Sequence, residues 1–350
     1  MDYSILGHSG LKVSRVCLGT MTWGVQNDQQ DANQQIDYAL DRGVNFIDTA
    51  EMYAIPPAPE TYGKTEAIIG NWLAANAGKR DQIILATKIA GPSVPWVREG
   101  GPITGDAVVE AVDDSLQRLQ TEYIDLYQLH WPNYAFAHFG RHWPNDVRFT
   151  KTNASKATDG MHDILQGLQR CVDAGKIRYC GLSDDSPWGI NQYIKLAEAH
   201  GLPRITSIQN EFNLLHHIDY KHLVETCAME QVAYLPWSPL GGGVLSGKYL
   251  HGQRPPGSRW TMDQRMGLFR EGQQVDAAIA AFKAVAEKHG LPLAQLALKW
   301  VDQVDGVTST IIGATTMQQL SEDIDSFDIS YSEELANDVT AALKQHALPF

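Results

Sequence analysis

The fold turns on Phe46-Ile47-Asp48-Thr49-Ala50-Glu51-Met52-Tyr53. Gly43-Val44-Asn45 brings the chain off a helical stretch, and Phe46 and Ile47 then read as a short buried strand. The apolar run stops at a carboxylate, Asp48, and a phenol, Tyr53, follows past a tight turn. A carboxylate at a strand end with a tyrosine held nearby is the outline of an acid–base pair. The plain alternative is a turn cap and a ring packed on a rim. The rest of the chain has to decide.

Working outward, the same rhythm repeats. A hairpin is expected over residues 2–14, and short apolar strands over 16–19, 83–88, 123–130, 177–182, 205–209, 232–237 and 308–312. Helical spacing follows each strand, over 31–41, 64–76, 104–119, 161–174, 187–200 and 221–229. The last strands lead into helices at 275–289 and 293–303, then at 316–327 and 332–345. Such alternation fits either an open doubly wound sheet or a closed eight-stranded barrel. The first strand turn, Gly19-Thr20-Met21-Thr22-Trp23-Gly24, lacks the Gly-x-Gly-x-x-Gly spacing of a dinucleotide-binding open sheet. Functional residue types gather instead at strand ends: Gly19, Asp48, Lys88, His130, Ser183, Gln209, Trp237 and Gly313. In a parallel barrel those ends form one face and surround one pocket, so the barrel is the better reading. The expected fold is therefore α/β: a (β/α)8 TIM barrel with an N-terminal β-hairpin and an extra C-terminal helix. Residues 1–350 form one domain in this reading, with long loops at 131–160 and 241–273 over the C-terminal face.

Composition narrows the partners. The chain of 350 residues is 43% hydrophobic and carries a formal charge of −13, with a pI near 5.3. That balance argues against nucleic acid, whose phosphates call for clustered Lys and Arg. The start, Met1-Asp2-Tyr3-Ser4-Ile5-Leu6, has no basic and apolar signal segment, and no apolar run is long enough for a bilayer. Cys17, Cys171, Cys180 and Cys227 are widely spaced, which suits reduced thiols. The expectation is a cytoplasmic protein working on a small molecule, with no membrane and room for a homo-oligomer.

Brought to one face, Asp48, Tyr53, Lys88 and His130 stop being independent. Asp48 supplies the partner that a buried Lys88 needs, and the ammonium can then sit against the Tyr53 hydroxyl. At about 4 Å and an effective dielectric near 20, that contact is on the order of 4 kcal/mol before screening. Half of it would lower a phenol pKa of about 10 by more than about one unit. Gly241-Gly242-Gly243 allows close backbone approach to phosphate, and Lys248 and Arg259 are cations in an acidic chain.

Gly19-Thr20-Met21, Asp48-Thr49-Ala50-x-x-Tyr53, Thr87-Lys88, Leu129-His130-Trp131, Gly181-Leu182-Ser183, Gln209-Asn210 and Trp237-Ser238-Pro239-Leu240 together resemble the aldo-keto reductase superfamily. The likeness runs from the hairpin to the last helix. It is nearest the bacterial Tas-type reductases and extends to the potassium-channel beta subunits. The resemblance implies a catalytic set of Asp48, Tyr53, Lys88 and His130, and an NADP(H) cofactor across the barrel mouth. It implies that Ser183, Asp184 and Gln209 meet the carboxamide, with Trp237 stacked on the nicotinamide beside Gly19, Thr20 and Met21. Ser238, Pro239, Leu240, Gly242, Lys248 and Arg259 would line the phosphates. Gly313, Thr315, Gln319, Glu322 and Asp323 would meet the adenosine end.

Two positions depart from the family's usual pattern. Asp184 and Asp323 stand where many members carry Asn, and Asp184 has an alternative role as cap of the helix near Pro187. Gln319 replaces an Arg found in some members, so a 2′-phosphate site rests on Lys248 and Arg259. Trp23, Trp131, Tyr53 and His130, with the loop aromatics Tyr134, Phe136, Phe139 and Trp143, outline an aromatic-rimmed substrate pocket. A metal site is not expected: His138-x-x-x-His142 lies in a loop, and His216-His217 lacks a third ligand. The expected reaction is NADP(H)-dependent reduction of an aldehyde or ketone. The rival readings are a slow-turnover, nicotinamide-sensing subunit of a larger complex and a metal-dependent barrel hydrolase.

Overall fold

The computed structural model describes residues 1–141, 143–262 and 270–347. A two-stranded antiparallel hairpin, β1 (Tyr3–Ile5) and β2 (Lys12–Ser14), opens the chain. Eight parallel strands follow: β3 (Val16–Gly19), β4 (Phe46–Asp48), β5 (Ile84–Ile89), β6 (Ile124–Leu129), β7 (Ile177–Ser183), β8 (Ile205–Glu211), β9 (Ala233–Trp237) and β10 (Thr310–Ile312). Their order in the sheet is β10-β3-β4-β5-β6-β7-β8-β9. The ring closes where Thr308 N–H donates to Tyr234 O at 2.9 Å, beside a parallel bridge between Tyr234 and Val307. The expected (β/α)8 barrel is the fold.

The helices are α1 (Gln29–Asp41), α2 (Lys64–Ala75), α3 (Gly105–Leu119), α4 (Ala154–Asp173), α5 (Pro187–His200) and α6 (Leu223–Glu230). Then come the short α7 (Arg259–Met262), α8 (Gln273–Lys288), α9 (Leu293–Gln303), α10 (Met317–Asp325) and α11 (Glu333–Gln345). Their starts are set by side-chain caps: Asp28 and Asp31 form a capping box on α1, and Thr104, Asn153, Ser186, Thr316 and Ser332 cap α3, α4, α5, α10 and α11. Helix α4 begins at Ala154, so the loop expected over 131–160 ends at Asn153. Over its described residues 241–262, the second expected loop is more ordered than a plain loop. Gly241–Ser246 and Leu250–Gly252 are 3-10 turns, and Trp260 of α7 is buried.

Strand alternation divides the core in two. Outward faces pack on the helices through Ile47, Leu85, Leu129, Leu182 and Ile208. Inward residues Cys17, Phe46, Ala86, Leu126, Ala233, Leu235 and Ile311 fill the lower barrel, and Leu6 and Val13 of the hairpin join them as a plug. A Cβ on Gly7 would lie 2.3 Å from Thr206 O, so only glycine lets the hairpin turn seat there. One step further along the same inward faces, the side chains turn polar. That layer is the floor of the site.

Candidate active site

The floor is built from the residue after each last apolar inward position: Asp48 beyond Phe46, Lys88 beyond Ala86, and Gln128 beyond Leu126. Parallel register sets Lys88 opposite Gln128, and Ser183 opposite Gln209. Lys88 is fully buried and Asp48 nearly so. The Lys88 ammonium donates to Asp48 Oδ2 at 2.5 Å and to Thr49 O at 2.7 Å. Asp48 Oδ1 accepts from the Gln128 amide at 3.0 Å and from the Gln209 amide at 2.9 Å. Burial alone would strip the lysine of its charge, but Asp48 and the nearby Tyr53 outweigh it and hold its pKa above the ordinary value. A charged lysine is thus locked under the barrel mouth.

Tyr53 and His130 stand above it. The Lys88 ammonium is 5.0 Å from the Tyr53 ring centre, and the Tyr53 and His130 rings meet edge to face at 5.6 Å. Burial raises the Tyr53 phenol above its ordinary pKa, and Lys88 opposes that shift without reversing it. The expectation of a lowered value counted the ammonium and left out desolvation of the phenolate. Burial, reinforced by Lys88, keeps His130 neutral well below its usual range. Its buried Nδ1 has no hydrogen-bond partner among the described residues. A neutral imidazole with unused capacity, beside a protonated phenol over a fixed ammonium, can bind and protonate an oxygen.

Residues that the sequence did not single out hold this set in place. Glu51, fully buried, accepts from Ala90 N–H at 2.6 Å, Arg98 at 2.6 Å and Tyr62 OH at 2.9 Å, which pins the turn carrying Tyr53. Gln128 lies on the inward face of β6, two residues after Leu126 and two before His130. Thr20, one of the expected cofactor residues, donates from Oγ1 to Asp48 O at 2.9 Å and ties the β3 end to the β4 end.

The cofactor candidates line the same rim. Ser183 ends β7 and Asp184 follows it, and both are buried. The cap of α5 is Ser186, whose Oγ accepts from Gly189 N–H at 3.2 Å. Asp184 is therefore not the cap: it has φ +53° and accepts from the Trp237 indole N–H at 3.3 Å. Beyond Trp237, Ser238 and Gly241–Gly243 all have positive φ, a run of left-handed backbone. A Cβ on Gly243 would lie 3.4 Å from the Lys248 Nζ, so the ammonium borders this cradle. Leu240 and Pro239 carry the chain into it, and Arg259 opens α7 nearby in sequence. Gly313 leaves open space, and Thr315 N–H and Oγ1 donate to Gln319 Oε1 at 2.9 and 3.0 Å. Asp323 is buried on α10 next to Glu322 and makes no side-chain hydrogen bond among the described residues. Burial pushes its pKa up to about 7. The orphaned carboxyl, the glycine cradle and the bordering lysine fit a ligand that brings phosphate and ring nitrogens.

Trp23 corrects an expectation. It is fully buried in the core, and its indole N–H donates to Gln35 Oε1 at 3.0 Å, so it does not reach a substrate rim. Trp131 does flank the site: it sits 5.0 Å from the His130 ring and donates to Pro92 O at 3.0 Å. His142 lies outside the described residues, and so do 263–269 of the second loop. Among the described residues one His/carboxylate trio, His289, Glu334 and Asp338, has ligand atoms within 4.8 Å of one another. Lys288 already bridges Glu334 and Asp338 at 3.1 and 2.7 Å. No described helix is long and apolar enough to cross a membrane.

Comparison with known proteins agrees with this geometry. The Aldo/keto reductase family matches residues 15–344. Protein tas of Escherichia coli K12 is 42% identical over 352 aligned positions, covering 100% of this chain and 99% of that protein. The oxidoreductase YrpG of Bacillus subtilis is 31% identical, covering 96% and 94% of the two chains. A probable voltage-gated potassium channel subunit beta of Arabidopsis thaliana is 29% identical, covering 94% and 92%. With its barrel, its strand-end set and a match along nearly its whole length, this chain belongs to the aldo/keto reductase family.

Proposed function

We propose that this protein reduces an aldehyde or ketone to the alcohol with NADPH as reductant. The observation that carries the reading is the fully buried Asp48–Lys88 pair beneath Tyr53, with neutral His130 alongside. When bound, a nicotinamide supplies hydride to the carbonyl carbon. His130 binds and orients the carbonyl oxygen where negative charge grows. Tyr53 gives that oxygen its proton, and its raised pKa means it carries one at neutral pH. Lys88 steadies the phenolate left behind, and Asp48 keeps Lys88 charged and aimed. Tyr53 keeps part of its surface exposed, so solvent can return the proton.

Ser183, Asp184, Gln209 and Trp237 would hold the reacting end of the cofactor, and Gly242, Lys248 and Arg259 its phosphates. Gln209 already spends its amide N–H on Asp48 and Gln128, so it would meet a carboxamide as an acceptor. Four buried free thiols suit a cytoplasmic setting. The channel-subunit relative favours a second reading, in which turnover is slow and the bound nicotinamide is sensed by a partner.

Steady-state assay of the purified protein with NADPH or NADH across a panel of aldehydes and ketones separates these. Alcohol formation with NADPH, at lower KM than with NADH, is the expected result. Tight NADPH binding with negligible turnover across the panel would favour the sensing subunit. Equal dissociation constants for NADPH and NADH would remove the 2′-phosphate site at Lys248 and Arg259.

A further inference from the structure

The segment after β6 is held firmly at its root and loosely at its tip. At the root, the Asn133 side chain bonds Ile103 N and O at 2.8 and 2.7 Å, and Tyr134 OH donates to Asp185. Among the described residues the tip, 136–141, makes no such backbone ties to the barrel; its one backbone bond there, Arg141 N–H to His138 O at 3.3 Å, is internal. Two side chains nevertheless reach the mouth. Phe139 stacks on Trp237 with ring centres 6.0 Å apart and planes 29° apart, and it meets Trp131 edge-on at 6.4 Å. His138 Nδ1 lies 3.1 Å from Asp184 Oδ1, the oxygen that also accepts the Trp237 indole N–H.

We propose that His138 and Phe139 are positioning residues that gate the cofactor ring: Phe139 occupies a face of Trp237 that the ring needs, and the His138–Asp184 pair latches it there. This rests on the nicotinamide reading of Trp237 given above. Three features favour a displaceable occupant over a fixed wall. Phe139 is 48% exposed although it stacks on the half-buried Trp237. Its φ of +56° lies in the left-handed region that a bulky residue adopts only at a cost. Besides its ring contacts, the tip is tied to the barrel wall among the described residues by one ion pair, His138–Asp184.

The latch carries a pH sense. Burial lowers the His138 pKa, but hydrogen bonding and charge from Asp184, with Asp219 and Asp185 behind, outweigh it and raise the value above the ordinary one. On its own segment the charged neighbour is Arg141, placed over the Phe136 ring at 5.2 Å. A histidine whose pKa is higher in the closed form stabilises closure fully below its ordinary pKa. That stabilisation is lost as pH rises through the raised value. Closure opposes the cofactor, so NADPH binding should tighten as pH rises. Asp185, pushed up to about 6 by burial, titrates close by, so the His138→Gln variant is needed to isolate the histidine.

The test places 4-fluorophenylalanine at position 139 and follows its fluorine resonance in the full chain. Without cofactor, the resonance should move from a ring-stacked to a free position as pH rises from about 6 to about 9. In His138→Gln it should sit at the free position throughout. NADPH should drive the wild-type resonance to the free position at every pH. Separately, Phe139→Ala should bind NADPH about threefold more tightly than wild type near pH 6, with the gap closing at high pH. If NADPH binds and the resonance stays stacked, the gate is overturned and the cofactor reading stands. If NADPH binds neither wild type nor Phe139→Ala, the cofactor reading falls. A pH response unchanged in His138→Gln would overturn the latch in either case.

Discussion

Thr87 and Lys88 are neighbours on β5, yet they face two different buried carboxylates. Lys88 points into the barrel and pairs with Asp48, while Thr87 points outward and donates to Glu66 of α2 at 2.6 Å. Glu66 is fully buried and bound to the Arg118 Nε at 2.6 Å. By burial and pairing the two sites are alike. They differ in what surrounds them. Around Glu66 the carboxylate is fully paired: Thr87 and Arg118 take its two oxygens, and Arg118 also donates to Ser115 at 3.3 Å, while the nearby Tyr127 hydroxyl, unpartnered among the described residues, is sealed in the core. Above Lys88, His130 keeps an unused ring nitrogen and Tyr53 keeps contact with solvent. A buried ion pair marks structure as readily as chemistry. Unspent polar capacity beside an opening is what separates the two.

The sharpest break comes at Tyr53. Tyr53→Phe keeps the ring against His130 and removes only the proton donor, so turnover should fall by about 10²–10⁴-fold. Folding stability and NADPH affinity should stay close to wild type. Retention of more than about a tenth of wild-type turnover would remove Tyr53 from the role of acid.

On the other side of β5 the effect should be on stability alone. Arg118→Met leaves Glu66 buried beside Thr87 with no cation, a change worth about 3–5 kcal/mol in fully buried pairs. Arg118 keeps some exposure, at 20% of its side chain, which places the expected loss at the lower end. Urea unfolding measures it, and turnover per folded molecule should be unchanged. Mild acid should recover part of the loss, since a protonated Glu66 needs no partner. A loss of turnover matching that of Tyr53→Phe would mean the two pairs are not separate.

Much of this contrast was legible in the sequence, and the limits have physical causes. The barrel followed from apolar runs that each stop at a Gly or a polar residue, because inward faces change from core to floor at that point. The Asp48, Tyr53, Lys88 and His130 set was legible for the same reason. Gln128 was not, because a strand buried on both faces reads as one apolar block and hides its period of two. The first two turns of α4, Ala154 to Gly160, carry no apolar stripe because they are mostly exposed, so the segment looked like loop. Trp23 was read as rim since tryptophan near a strand end often is. Only the structure gives its N–H to Gln35. Side-chain direction also lay beyond the sequence, which is why Gln209 turning down onto Asp48 and Asp184 turning towards His138 were not foreseen.

A carboxyl with no cation partner among the described residues extends the comparison, and Asp323 is one. It is 6% exposed, next to Glu322, and near the C-terminal end of α10, where a helix dipole disfavours negative charge. Burial first, then Glu322, raises its pKa to about 7, from 3.8 for an ordinary aspartate. The sign follows directly. The folded state holds this proton more tightly than the unfolded chain, so stability falls as pH rises from the ordinary value to the raised one. Above that window the full cost of a buried, unpaired charge remains. Asp323→Asn keeps the shape and removes the charge. It should therefore be more stable than wild type above about pH 7, by on the order of 1–3 kcal/mol, and no more stable near pH 4. Urea unfolding of both proteins across that range decides it. Equal stability at every pH would mean that Asp323 reaches water in solution, and that among these carboxylates only the paired ones are sealed.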